Sequence, residues 1–245
     1  MKGASLFVQK NFKSTNTTFE LCMQVIVYAY FELSKNKNYS RSEILKQTTR
    51  VRGRLSTVVE LEDYLRNDLV TNFIKPHLSK FGLEHYLFIP GAEEISENIK
   101  VGILDIKVCS PSFTGAVYYI FECKRLNKSI IKNYLKEGVE RFVSRQYYPN
   151  SDTPVAGMIS FLESTEVKSR IDIDKCFDEL NTELTNQSEQ VNLVVKLAHH
   201  PISSNDYVFL NNYKFIFYSI HKRTKSKDNI TLYHIFLDYN DIILQ

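Results

Sequence analysis

The stretch VYYIFECKRLNKSI, residues 117–130, opens as a run of strand formers and then carries Glu122, Cys123 and Lys124 in succession. Side chains alternate along a strand, so Glu122 and Lys124 share a face with Tyr118 and Ile120. Two opposite charges on one face of an otherwise buried strand call for a chemical reason.

The neighbouring sequence supplies a setting. IKVGILDIKV (99–108) reads as the preceding strand, and CSPSFTG (109–115), with its Pro and Gly, as a hairpin connection between the two. Asp105 then falls close to Glu122. After the Glu-x-Lys, residues 129–147 read as a helix with Ile131, Tyr134, Leu135, Gly138 and Phe142 along one side. Before the pair, VVELEDYLRNDLVTNFIK (58–75) predicts a long helix ended near Pro76, followed by a strand at HYLFIP (85–90). Downstream, PVAGMISFL (154–162) reads as a strand and 165–184 as a helix. VNLVVKLA (191–198), YKFIFYSIHKR (213–223) and TLYHIFLDY (231–239) read as three further strands. This order predicts an α/β fold with a mixed central sheet flanked by helices.

The first fifty-five residues read differently. Residues 18–34 form an apolar helix, and Ser40 with Glu43 has capping-box spacing that starts a second. RVRGRLST (50–57) is a basic connector with Arg50, Arg52 and Arg54. The expected organisation is an N-terminal helical region, 1–55, and one domain over 56–245.

Composition narrows the class. The 245 residues suffice for one substantial core, and the apolar and charged fractions are those of a globular protein. A net charge of +3 does not by itself indicate a nucleic-acid partner. Of the four cysteines, Cys22, Cys109, Cys123 and Cys176, none forms a CxxC pair, so reduced thiols are expected and not a zinc site. The longest apolar run, LCMQVIVYAYFEL, is too short to span a bilayer and is interrupted by Gln24, and the amino terminus lacks signal-peptide order. The expected location is the cytoplasm, with no membrane partner.

Asp105, Glu122 and Lys124 can meet at one end of the sheet. Hard carboxylate oxygens suit Mg²⁺, with Mn²⁺ as a substitute. A nearby lysine can orient or deprotonate a water. The combination is that of metal-assisted phosphodiester hydrolysis; surface salt bridging is the alternative for the same residue types.

This array resembles the PD-(D/E)xK, or restriction-endonuclease-like, nuclease superfamily over about residues 57–162. Asp105 matches the motif aspartate, and Glu122 and Lys124 match the ExK; Leu104 stands where a proline often precedes the aspartate. The resemblance implies a restriction-endonuclease-like core and a metal-dependent nuclease acting on DNA, as an endonuclease of bacterial restriction or anti-phage defence. RNA as substrate, or a non-catalytic nucleic-acid-binding subunit of a defence complex, are the alternatives. A homodimer or a partner subunit is compatible with each. Superfamily sites often recruit a further glutamate from the helix before the sheet. Glu62 lies on the stripe of Leu65, Leu69 and Phe73, whereas Glu60 has capping-box spacing from Thr57, so Glu62 is the expected third metal ligand, with Asp63 as fallback. Gln146, Tyr147 and Tyr148 fall where some members carry an auxiliary Gln and Tyr.

Further cations suit phosphate contacts. Lys128, Lys132 and Lys136 recur at i, i+4, with Arg141 and Arg145 on the opposite flank; a solvated helix face has the same pattern. Ser219, His221, Arg223 and His234 are polar positions in strands that can hold a phosphate or a structural carboxylate, or be hydrogen-bonded in the core. His199 and His200 have no carboxylate pattern beside them.

Overall fold

The apolar alternation of the central strands builds a seven-stranded mixed sheet with helices on both faces. The computed structural model describes residues 3–46, 49–51, 54–56, 61–96, 99–110, 118–126, 131–149, 151–164, 170–224 and 228–244. Its helices are α1 (Gly3–Asn36), α2 (Arg41–Lys46), α3 (Leu61–Asp68), α4 (Ile131–Tyr134), α5 (Glu140–Val143) and α6 (Ile173–Asn186). Its strands begin with β1 (Tyr39–Ser40), β2 (Thr49–Val51) and β3 (Arg54–Ser56). They continue as β4 (Leu87–Ser96), β5 (Ile99–Cys109), β6 (Tyr118–Leu126) and β7 (Val155–Leu162). The last four are β8 (Leu193–His199), β9 (Ile216–Lys222), β10 (Asn229–Asp238) and β11 (Ile243–Leu244).

The sheet order is β4-β5-β6-β7-β10-β9-β8. The central β6-β7-β10 pairs are parallel, and the outer pairs on each side are antiparallel. β7, a run of eight buried residues, has the continuous apolar character of a strand covered on both faces. On one face lie α1 and the helix beginning at α3; on the other lie α4, α5 and α6.

The Phe19–Leu33 part of α1 is apolar nearly all round because it is enclosed. Its residues Cys22, Met23, Val25, Ile26, Val27, Ala29 and Leu33 are buried. Phe19 stacks on Phe121 of β6, with ring centroids 5.1 Å apart. Gly157 of β7, opposite Phe121 in the register, admits that ring: a Cβ there would collide with it. The capping interaction at α2 forms, Glu43 N–H donating to Ser40 Oγ at 3.4 Å. β1 pairs in parallel with β11 at the opposite end of the sequence.

Several elements differ from expectation: α6 starts at Ile173 and not at 165, the helix read over 129–147 is divided by a π segment at Leu135–Val139, and β4 runs on to Ser96. The segment read as a basic connector contributes a short antiparallel pair, β2 with β3. The helix expected to stop near Pro76 runs on to Phe81, passing from α at Leu61–Asp68 through a π segment, Leu69–Ile74, to a 3-10 turn, Lys75–Phe81. Pro76 stands at the start of that turn, where its missing N–H matters least, so the change of helix type absorbs the proline. The helical segment stops at Gly82, whose φ of 65° is the left-handed conformation a glycine adopts without penalty. The connection 111–117, Thr57 and Glu60 lie outside the described residues.

The four cysteines are unpaired thiols. Among the described residues no helix is long and apolar enough to cross a membrane.

Candidate active site

β5 and β6 pair only from Cys109↔Tyr118 to Ile106↔Phe121, and then separate. Asp105 and Glu122 are the first residues past that fork. Beyond it β6 keeps β7 on one side, while its N–H groups facing β5 have lost their ladder partners. A buried unpaired amide costs on the order of 1–3 kcal/mol. Side chains satisfy these amides: Cys123 N–H donates to Asp105 Oδ2 at 2.8 Å, and Arg125 N–H donates to Glu62 Oε2, also at 2.8 Å. Two carboxylates thus stand where a neighbouring strand would.

Lys124 projects into the same space. Its Nζ lies 2.9 Å from Glu122 Oε1, 3.3 Å from Glu62 Oε1 and 4.0 Å from Asp105 Oδ2. Helix α3 and strands β5 and β6 each supply one acid around that ammonium. The stripe Leu65, Leu69 and Phe73 packs in the core, which brings Glu62, one turn earlier, over the end of the sheet.

Two further cations complete the cluster. Arg66, one helical turn after Glu62, donates through one terminal nitrogen to Asp105 Oδ1 at 2.6 Å and reaches Asp63 Oδ1 at 2.7 Å. Arg141 of α5 lies 3.2 Å from Glu122 Oε1 and donates to the Tyr147 hydroxyl at 2.8 Å. Tyr147 in turn donates to Glu122 Oε2 at 2.8 Å. Local backbone explains its return: Arg145, with φ 60°, ends the helix, and Tyr147 N–H reaches back to the Arg141 carbonyl at 3.0 Å.

Burial governs the protonation of this cluster. Glu122 is 1% exposed; burial first, then the Asp105 charge, push its carboxyl up to about 8. Burial also raises Glu62. Desolvation works against the Lys124 ammonium, but Glu122, Glu62 and Asp105 together hold its pKa above the ordinary value. The lysine is the charged centre, and Glu122 is the acid most ready to carry a proton.

The donor set fits a small hard divalent cation, since it consists of carboxylate oxygens surrounding a position that already hosts a positive charge. As the side chains stand, the lysine holds that position, and among the described residues no three His, Cys, Asp or Glu side chains form a ready metal cluster.

The other candidate residues lie elsewhere. Lys132 and Lys136 are exposed on the outer helix face, and Lys128 is outside the described residues. Arg145 pairs with Asp152 at 2.9 Å, away from the acids. Ser219, His221 and His234 form a buried chain in the core: Ser219 Oγ lies 2.8 Å from each imidazole, and Tyr134 Oη 2.7 Å from His234 Nδ1. Arg223 is buried and donates to the Thr153 carbonyl. His200 pairs with Glu20 at 2.9 Å. Sequence reasoning missed Arg66, although its i+4 spacing from Glu62 places both on one helix face. It also missed the buried Glu163, just past β7, gripped by Arg41 of α2 and Arg125 of β6.

Comparisons of the chain with protein-family models, with curated proteins and with solved structures give no match.

Proposed function

We propose that this protein is a metal-dependent nuclease of PD-(D/E)xK type, with a restriction-endonuclease-like core, that hydrolyses DNA phosphodiester bonds. One observation carries the reading: acids from a helix and two strands meet around a single lysine at the fork of β5 and β6. Purely structural salt bridges do not require three carboxylates on one ammonium. Asp105, Glu122 and Glu62 would hold Mg²⁺ or Mn²⁺, which when bound supplies phosphate polarisation and a more acidic water. Lys124 orients the attacking water and stabilises charge on the phosphate oxygens. Arg141 and Tyr147 fix the Glu122 carboxylate from behind. Arg66 keeps Asp105 turned toward the fork. The exposed Lys132 and Lys136 provide phosphate contacts without reading sequence. Service in restriction or anti-phage defence, as an endonuclease, is the biological role proposed.

The direct test is nicking of supercoiled plasmid, with RNA in parallel, in Mg²⁺, in Mn²⁺ and in chelator. Divalent-dependent nicking of the plasmid supports the reading; cleavage confined to RNA moves the substrate class, and inertness on both nucleic acids refutes nuclease function.

Glu62 makes a sharper case. Glu62→Gln keeps an acceptor for the Arg125 amide but loses the charge, so the fold should persist while metal-dependent cleavage falls by about a hundredfold. An unchanged melting temperature with unchanged cleavage would remove Glu62 from the site.

A further inference from the structure

The inner cluster has no positive surplus: Glu62, Asp63, Asp105 and Glu122 face Lys124, Arg66 and Arg141. It offers an approaching polyanion little net attraction. A positive surplus lies immediately beside it. Arg125 follows Lys124 in β6, and its amide is the one bound by Glu62. Its guanidinium donates through Nε to Glu163 Oε1 at 2.6 Å. Arg41 grips the other oxygen, Glu163 Oε2, and donates to the Ser164 carbonyl at 2.8 Å. Glu163 is 1% exposed, whereas the Arg41 and Arg125 side chains keep 16% and 29% of their surface open. Among the described residues, the buried Arg41 Nε has no hydrogen-bond partner. Counted over the described residues, one buried carboxylate therefore orients two partly open guanidinium groups and leaves one positive charge unbalanced. The pair gathers at the carboxyl ends of the parallel strands β6 and β7, where open α/β sheets receive ligands.

We propose that Arg41 and Arg125, aligned by Glu163, form a phosphate-binding subsite for the polynucleotide backbone next to the bond that is cut. Guanidinium forks suit phosphate oxygens because they present paired, fixed donors. Glu163 prevents the two long side chains from collapsing onto the acids of the fork. The subsite rests on the nuclease reading, since it places the backbone relative to those acids.

The test is binding of a short labelled DNA duplex to the full chain in metal-free buffer, by anisotropy across a salt series. Arg125→Gln and Arg41→Gln should each weaken binding by about fivefold to tenfold and reduce the slope of log affinity against log salt by about 0.9. Arg125→Lys should retain most of the slope, because the charge remains. Folded glutamine variants with lowered melting temperatures but an unchanged slope would mean a fastening role only, and would overturn the subsite. Arginine-selective labelling of the unmutated protein avoids any folding defect: duplex should protect Arg41 and Arg125 but leave the exposed Arg170 reactive. Equal labelling of Arg41 and Arg125 with and without duplex would also overturn it. Absence of duplex binding by the unmutated chain would defeat the DNA reading itself, a result distinct from binding with an unaltered slope.

Discussion

Lys124→Ala is expected to reduce divalent-dependent cleavage by about a hundredfold to ten-thousandfold, the range for loss of a group that handles protons or charge at a reacting centre. Asp105→Ala and Glu122→Ala should do the same, and should also weaken Mn²⁺ binding. The structure indicates which substitutions test chemistry most cleanly. Removing Lys124 leaves three carboxylates facing one another, and removing Glu122 strands Arg141 and Tyr147. Asp105→Asn and Glu122→Gln keep the side-chain size and one accepting oxygen while deleting charge, so they should cost less stability than alanine and still fail to cut. Full activity in a folded Lys124→Ala preparation, free of contaminating nuclease, would defeat the assigned mechanism.

Stability in metal-free buffer should pass through a maximum near pH 6.5. Burial lowers His221 to about 4 and His234 to about 3 from an ordinary 6.5. Among the described residues the groups facing them are Ser219, Tyr134, the Val191 carbonyl and, for His234, the His221 ring, none a carboxylate. In acid the unfolded chain binds protons that these rings refuse, so their contribution is present above pH 6.5 and lost as pH falls toward 4. At about 1.4 kcal/mol per pH unit for each group, the loss between pH 6.5 and 4 is on the order of 7 kcal/mol. Glu122 acts in the opposite sense. Its folded value, about 8 against 4.5, means that the folded state holds the extra proton, so stability declines as pH rises toward 8. Glu62 adds in the same direction as Glu122. Below pH 6.5 the two imidazoles outweigh the acids; above it the acids act alone. Urea unfolding across the range checks this. Glu122→Gln should flatten the alkaline limb and His234→Asn the acid limb. A profile flat from pH 4 to 8 would contradict the burial of all three groups.

Much of this arrangement was legible in the sequence because it is written in short-range pattern. Alternation set the strands, the Ser40–Glu43 spacing set the start of α2, and 100° per residue placed Glu62 on the stripe of Leu65 and Leu69. Long-range partners leave no such mark. Arg41 meets Glu163 across 122 positions and Arg66 meets Asp105 across 39, and nothing local in either stretch signals the other. Arg141 read as part of a solvent-facing flank, yet a positive φ at Arg145 returns Tyr147 to Glu122, beside that arginine. The continuation past Pro76 was obscured because a proline that breaks an α-helix also begins a 3-10 turn.

The enclosure of α1 bears on how the chain matures during synthesis. Gln24 donates to the Ser203 carbonyl and Tyr30 to the Asp238 carbonyl, each at 2.8 Å, and Tyr39 pairs with Ile243. A helix made early therefore waits for partners that leave the ribosome some two hundred residues later. At about 5–20 residues per second that is a delay of roughly ten seconds or more. Throughout it the apolar surface of Cys22, Val25, Ile26 and Ala29 has no sheet to cover it. Closing so long a loop is slow, and the exposed interval invites aggregation or chaperone capture. A helix made well before its sheet is therefore among the last elements to be fixed.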